Sequence, residues 1–347
     1  MIENSLRLET NISERQFEFM LGSSTTKACN LFIKRDDVKI LSRRRDLHMI
    51  FIDLEKAYDR VRWNFVLKCL DELKIPSNVI RIIEWCLSTA KLQVMWDGEK
   101  GETFSPSRGL RQGDPLSPYL FVLIMEKFAH LIQTEVEEDN WKPFRLKKSG
   151  TCISHLFFAD DLMLFAEADM DQAAIIKACL DDFCAASGEK VNNMKSRIFF
   201  SKNVNHTRVN EISNFMGFSP CVDLGRYLGV PLIHQKVTRR SQEYILGKMD
   251  KKLSSWKANT LSSAGRHTLV HSVVSVIPSY DMQKMSLLSS TCNEIDKCCR
   301  KFLWGESEAR SKVNLVSWDK VCMRKEVGGL GLRKAKLQNN AFMIKLG

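Results

Sequence analysis

Two kinds of apolar pattern alternate along the chain. Short unbroken runs stop at a carboxylate: Met49 to Leu54 (MIFIDL) predicts a strand carrying Asp53 near its end, and LFF (156–158) and LMLF (162–165) predict two buried strands joined by an Ala-Asp-Asp turn. Longer stretches repeat apolar positions every three or four residues and predict helices. These cover Val61 to Lys74 and Asn78 to Ala90, interrupted at Pro76, and Asp171 to Ser187, stopped by Gly188. Ser117-Pro118 predicts the start of another, with Ser as N-cap, Pro as first helical residue and Leu120, Phe121, Ile124, Phe128 and Leu131 on one face. Leu92 to Phe104 predicts a hairpin turned at Asp97-Gly98. Strands flanked by helices in this order imply a layered α+β domain through about residue 233. The remainder, from about 234, reads as mainly helical.

Charge separates the same two parts. The net charge is +11 over 347 residues. Residues 236–257 hold seven Lys/Arg against Glu243 and Asp250, and residues 297–347 hold twelve against four acids, so the excess lies in the C-terminal part. That is either a solvated basic surface or a phosphate-tracking face, and charge alone does not choose. Eleven scattered cysteines without CxxC or disulfide-like spacing imply reduced thiols. No apolar run approaches the roughly 18 residues of a membrane span, and the N-terminus has no signal-peptide core.

Asp160 and Asp161 stand inside an otherwise apolar stretch. Two unit charges about 4 Å apart repel by roughly 4 kcal/mol at an effective dielectric near 20, so a positive partner is expected. A sheet pairing the two apolar runs could bring Asp53 beside them. Three clustered carboxylates suit Mg²⁺, which takes oxygen ligands, and two such ions stabilise both the attacking and the leaving oxygen in nucleotidyl transfer. The plainer alternative is an exposed turn with a strand-end cap, since Asp is a common turn residue.

A third stretch, GLRQGDPLSPYLF (109–121), changes that balance. With FIDLEKAYDRV (51–61) and FADD (158–161) it resembles, in order, the palm motifs of the reverse transcriptases of non-LTR (LINE-type) retrotransposons, plant elements above all. SGEKVNNMKS (187–196) and YLGVPL (227–232) resemble the two motifs that follow, and LSSWKANTLSSAGRHTLV, FLWG, VSWDKVC and GGLGLRKAKLQNNAF resemble the thumb and connection region. The likeness implies a right-hand polymerase: partial fingers (1–48), palm with inserted fingers elements (49–233), and a helical basic thumb/connection region (234–347). It implies RNA-directed DNA polymerase activity with two Mg²⁺ ions, or Mn²⁺, and as partners an RNA template, a DNA primer and dNTPs. Asp53, Asp160 and Asp161 match the metal-binding catalytic carboxylates, and the Leu54 carbonyl an additional ligand. Tyr58 matches the steric gate against a 2′-hydroxyl, Gln112 and Gly113 the nucleotide-contacting pair, and Lys195 the acid to the pyrophosphate leaving group. The implied place is a ribonucleoprotein in nucleus or cytoplasm, neither secreted nor in a membrane.

Departures from the pattern imply a partial or decaying copy. QFEFMLGSSTT (16–26) has Glu18, Leu21 and Ser23 where Gly, Pro and a triphosphate-binding Arg are usual, and Met323-Arg324 stands where Pro-Lys is typical. A catalytically inactive RNA-binding remnant is therefore the alternative function. Other signals favour plain structure: His267 and His271 lack a third metal ligand, Gly328-Gly329-Leu330-Gly331 lacks a phosphate-loop Lys, and Trp256, Trp304 and Trp318 suit a core better than base stacking.

Overall fold

The computed structural model describes residues 46–145, 152–223, 226–227, 230–231, 238–253, 260–306 and 315–346. The QFEFMLGSSTT segment, Trp256 and most of the expected fingers lie outside them. The chain divides into two compact units, whose described residues are 46–223 and 226–346.

The first unit is built on a five-stranded sheet. In chain order its elements are β1 (Leu47–Asp53), α1 (Ala57–Arg60), α2 (Trp63–Glu72), α3 (Ser77–Ser88), the hairpin β2 (Leu92–Trp96) and β3 (Glu99–Phe104), and α4 (Ser117–Glu137). A two-residue pair β4 (Phe144–Arg145) and β5 (Cys152–Ile153) follows, then β6 (His155–Phe158), β7 (Asp161–Glu167), α5 (Met170–Ser187), β8 (Arg197–Phe200), α6 (His206–Met216) and β9 (Ser219–Cys221). The sheet runs β6-β7-β1-β8-β9, antiparallel except for the β8–β9 pair.

Strand alternation decides which face each side chain joins. Ile50 and Ile52 of β1 lie in register with Leu164 and Leu162 of β7, and Ile50 also with Ile198 of β8. This face joins Leu120, Phe121, Ile124 and Phe128 of α4 and Ile176, Leu180 and Phe183 of α5 in one core. The opposite face receives Phe51 and Asp53 of β1 with Met163 and Asp161 of β7. Helix α4 is buried almost all round over Leu120 to Met125, as a central helix must be.

Helix α4 begins differently from expectation. Ser117 is its first helical residue and Pro118 its second, while the Asp114 carboxylate accepts from the Leu116 amide at 3.0 Å and the Asp114 carbonyl from the Ser117 amide at 3.1 Å. Leu116 is thus the N-cap, without a side-chain cap, and Asp114 braces the turn that leads into it. The β2–β3 hairpin turns at Asp97 (φ 50°) and Gly98 (φ 82°), as Asp-Gly predicts, and all of both strands is exposed.

The described elements of the second unit are helical apart from the short strands β10 (Arg226–Tyr227) and β11 (Val230–Pro231). They include α7 (Glu243–Lys252), α8 (Ser263–Leu269) continuing as one π-helical turn, α9 (Ser279–Met282), α10 (Ser289–Trp304), α11 (Trp318–Val321) and α12 (Ala335–Leu346). Ile245, Met249, Val270, Val274, Ile295 and Phe302 form its core, with Trp304 and Trp318 packed against it. Both of these tryptophans are partly buried against that core, which favours packing over base stacking. His267 bonds the Leu330 carbonyl at 2.9 Å and stacks on His271 at 5.9 Å between ring centroids, which is ordinary helix packing.

Candidate active site

The sheet's second face, on which Met49, Met163 and Phe165 are themselves buried, carries the carboxylates at one end. Asp53 closes β1 directly opposite Asp161, the first residue of β7. Both main-chain groups of Asp53 bond on the β8 side: its amide to Ser196 Oγ at 3.1 Å, and its carbonyl to the Asn192 amide at 2.8 Å. Asp53 and Asp161 are therefore a non-hydrogen-bonded cross-strand pair, the kind in which the two side chains stand closest. Like charges in that position repel. Asp160 adds a third carboxylate from the β6–β7 turn.

That turn is tight and strained. Phe158 pairs with Asp161, so the loop is the two residues Ala159 and Asp160, and Ala159 takes φ of 51°. An L-residue with a side chain in this region costs about 1–2 kcal/mol, which the buried strands on either side enforce. The loop is one residue shorter than the expected Ala-Asp-Asp turn, because Asp161 already belongs to β7. The Asp161 carboxyl is raised above the usual carboxylate range, first by partial desolvation, although the residue still reaches solvent, and then by Asp160 and Asp53.

Tyr58 lies on the short helix α1, reached through Lys56 at φ 51°. One face of its ring stacks on Phe121, 4.6 Å between centroids and 12° between planes. Its hydroxyl is raised by burial and then by the negative charge of Asp160, which places the ring in the field of the carboxylates. Leu54 forms a bridge with Val191, made by the bonds from Glu55 N to Lys190 O and from Asn192 N to Asp53 O; the Leu54 carbonyl takes no part in it. Lys195 Nζ stands 3.9 Å from the Asp53 carboxylate with both side chains well exposed, so the pair contributes little to stability.

Gln112 and Gly113 occupy an exposed turn before α4. The residues just upstream are stitched to the Tyr58 segment: Leu110 N donates to Tyr58 O at 2.6 Å, and Gly109 N to Val61 O at 2.7 Å. Gly113 has φ of 89°, while a Cβ there would meet nothing within 4 Å. Its glycine is thus explained by the turn and not by crowding. The structure brings Asp53, Asp160, Asp161, Tyr58 and Lys195 into one neighbourhood and places Gln112 and Gly113 on the loop bonded to it.

Two residues of this region carry no signal in sequence. Ser196 is fully buried and holds the Asp53 amide from 143 positions away. Glu189 is 4% exposed, and neither of its carboxylate oxygens has a hydrogen-bond partner among the described residues. Burial, opposed by Arg60 and aided by Asp160, pushes its carboxyl up to about 8. The folded chain then retains a proton that the unfolded chain releases from about pH 4.5 upward, so this group's contribution to stability falls as pH rises from there to about 8. Glu189→Gln removes the dependence. Its melting temperature is expected to match wild type near pH 5 and to exceed it by several degrees near pH 8; parallel pH profiles for the two proteins would contradict the buried neutral acid.

A family model described as reverse transcriptase (RNA-dependent DNA polymerase) matches residues 1–232. The chain belongs to the reverse transcriptase family. The mixed helix-and-sheet first unit is consistent with the polymerase-like α+β fold of this family. A putative ribonuclease H protein of Arabidopsis thaliana is 38% identical over 118 residues, 34% of this chain and 19% of the relative. The Pol polyprotein of a type-1 R2 retrotransposable element from Nasonia vitripennis is 31% identical over 159 residues, 45% of this chain and 14% of its own length. An uncharacterised 149 kDa protein of transposon TX1 from Xenopus laevis is 27% identical over 289 residues, 79% of this chain and 21% of its own. The chain spans about a fifth or less of the length of these relatives. Among solved structures, a Candida albicans telomerase in complex with a fragment of telomeric RNA covers 99% of this chain and 56% of its own at 13% identity, with a TM-score of 0.42.

The donor set fits the divalent ion that such a site implies. The Asp161 carboxyl, raised first by desolvation and then by Asp160 and Asp53, would be relieved by a hard cation, and all the donors are oxygen. Among the described residues no group of three or more His, Cys, Asp or Glu is gathered tightly enough to hold a metal as it stands. The carboxylates are neighbours, not a closed cage. No described helix is long and apolar enough to cross a membrane.

Proposed function

We propose that this chain is the catalytic part of a non-LTR retrotransposon RNA-directed DNA polymerase, adding a dNTP to a DNA primer on an RNA template. The observation that carries this is the cross-strand pair Asp53–Asp161 with Asp160 on the adjoining turn, in a chain of the reverse transcriptase family. Asp53, Asp160 and Asp161, with the Leu54 carbonyl, would hold two Mg²⁺ or Mn²⁺ ions. Bound there, the ions supply charge neutralisation to the attacking and leaving oxygens.

The chain's own groups do the rest. Gln112 and Gly113 line the nucleotide's approach from the exposed turn before α4. Tyr58, fixed on one face by Phe121, leaves its other side as the floor under the incoming sugar. Lys195 carries an ammonium beside Asp53 and is free enough to give a proton to the departing pyrophosphate. The first unit would serve as palm, and the second, with most of the positive excess, would grip the template–primer duplex through its phosphates.

Tyr58→Val is expected to leave dNTP addition measurable and to raise ribonucleotide addition, because it opens the space a 2′-hydroxyl needs. Unchanged sugar discrimination in competition assays would remove Tyr58 from the gate role. The departures at Glu18, Leu21 and Ser23, with the basic excess in the C-terminal part, favour a second reading, an inactive RNA-binding remnant. Single-nucleotide extension on an RNA template with a DNA primer, run beside a binding assay, separates the two: the polymerase extends, and the remnant binds without extending.

A further inference from the structure

The segment Asn192 to Ser196 grips Asp53 by both of its main-chain groups. β8 begins only at Arg197, opposite Phe51, so the ladder cannot reach Asp53 by ordinary pairing. Instead the chain folds into a turn in which the amides of Lys195 and Ser196 donate to the Asn192 carbonyl at 3.1 and 2.8 Å. From that turn the Asn192 amide meets the Asp53 carbonyl at 2.8 Å, and Ser196 Oγ accepts from the Asp53 amide at 3.1 Å. From the same turn the Lys195 ammonium faces the Asp53 carboxylate at 3.9 Å.

We propose that Ser196 is a positioning residue, whose buried hydroxyl stands in for the missing ladder acceptor and fixes the Asp53 main chain, and through it the spacing of Asp53 from Asp161 and Lys195. The inference rests on Asp53 being a metal-binding carboxylate. Ser196 is fully buried, so its hydroxyl acts through the Asp53 main chain that it holds. Without the hydroxyl, the Asp53 amide at the sheet's end loses its acceptor and the carboxylate loses its fixed aim.

Three variants separate hydrogen bonding from packing. Ser196→Ala removes the acceptor, Ser196→Cys keeps the branching with a slightly larger atom that accepts poorly, and Ser196→Thr keeps the hydroxyl. The first readout is hydrogen exchange of the Asp53 amide in metal-free protein, which does not depend on activity. The second is Mn²⁺ affinity by electron paramagnetic resonance, and the third is single-nucleotide extension at saturating template–primer. In Ser196→Ala and Ser196→Cys, Asp53 exchange is expected to quicken, and Mn²⁺ affinity and extension to fall about 10- to 100-fold, with template–primer affinity unchanged. Ser196→Thr is expected to restore all three. If Ser196→Ala fails to fold, Ser196→Cys carries the test.

Wild-type exchange at Asp53 together with wild-type Mn²⁺ affinity in Ser196→Cys would overturn the proposal. Asp53→Asn distinguishes its failure from that of the metal assignment. If Asp53→Asn binds Mn²⁺ as wild type does, the metal assignment fails; the exchange measurement still decides whether Ser196 fixes Asp53.

Discussion

Asp160→Asn is expected to abolish nucleotide addition while leaving the fold at least as stable as wild type. Asp160 sits on a two-residue turn whose strands are held by the Phe158–Asp161 pair and by the buried faces of β6 and β7, not by its own carboxylate. Its charge acts mainly on neighbours, helping to raise Asp161 and Tyr58. Asparagine keeps the shape and removes that repulsion, so stability should change by no more than about 0.5 kcal/mol, or improve slightly. Catalysis loses a metal-binding oxygen at the reacting centre, and extension should fall at least about a thousandfold. Thermal melts with and without Mg²⁺, run beside extension assays, check both halves. Residual extension near the wild-type rate would refute the metal role, and a melt lowered by several degrees would make Asp160 a structural turn residue.

Gly329→Ala is expected to have the opposite signature, a large loss of stability with no tie to chemistry. A Cβ at Gly329 would lie 2.0 Å from the Met323 carbonyl oxygen and 2.4 Å from its carbon. No flexible side chain can yield there, because the obstacle is main chain. That main chain is fixed by bonds from Gly329 N to Arg324 O at 3.0 Å, Gly331 N to Met323 O at 2.9 Å and Leu330 N to Val321 O at 2.9 Å. Accommodating a methyl group means breaking this loop, at a cost above about 4 kcal/mol. Denaturant unfolding of the variant tests it; a midpoint close to wild type would show that the loop is not packed as described. Close packing against Met323 thus explains the glycine at 329 without a phosphate-binding role.

How much of this was legible in sequence depended on range. Strand β1, the β6–β7 hairpin, helices α2 to α5 and the Asp97-Gly98 turn follow from local periodicity and turn chemistry, and the structure departs from them mostly at the ends. Helix α6 carries its signals too, an Asn205 side chain accepting from Thr207 and a left-handed Gly217, but its apolar face is thin. β8 and β9 are four and three residues long, and β9 contains Pro220; their pairing depends on partners far away in sequence. Ser117 lies one residue inside the helix expected to start from it, the kind of boundary shift that local sequence does not fix.

The site divides the same way. A carboxylate ending an apolar run is conspicuous, so Asp53, Asp160 and Asp161 could be singled out, and the register then places Asp53 opposite Asp161. Tyr58 acquires meaning only through Phe121, which stacks on it from 63 positions away. Ser196 and Glu189 look like ordinary polar residues until the turn after α5 folds against the end of β1.

The most direct test of the account is single-nucleotide extension by the wild-type chain, with a labelled DNA primer annealed to an RNA template, in Mg²⁺ and then in Mn²⁺. The account predicts templated addition of the complementary dNTP that requires the divalent ion and disappears in Asp160→Asn. Tight template–primer binding with no addition in either metal would contradict it and leave the chain an RNA-binding remnant.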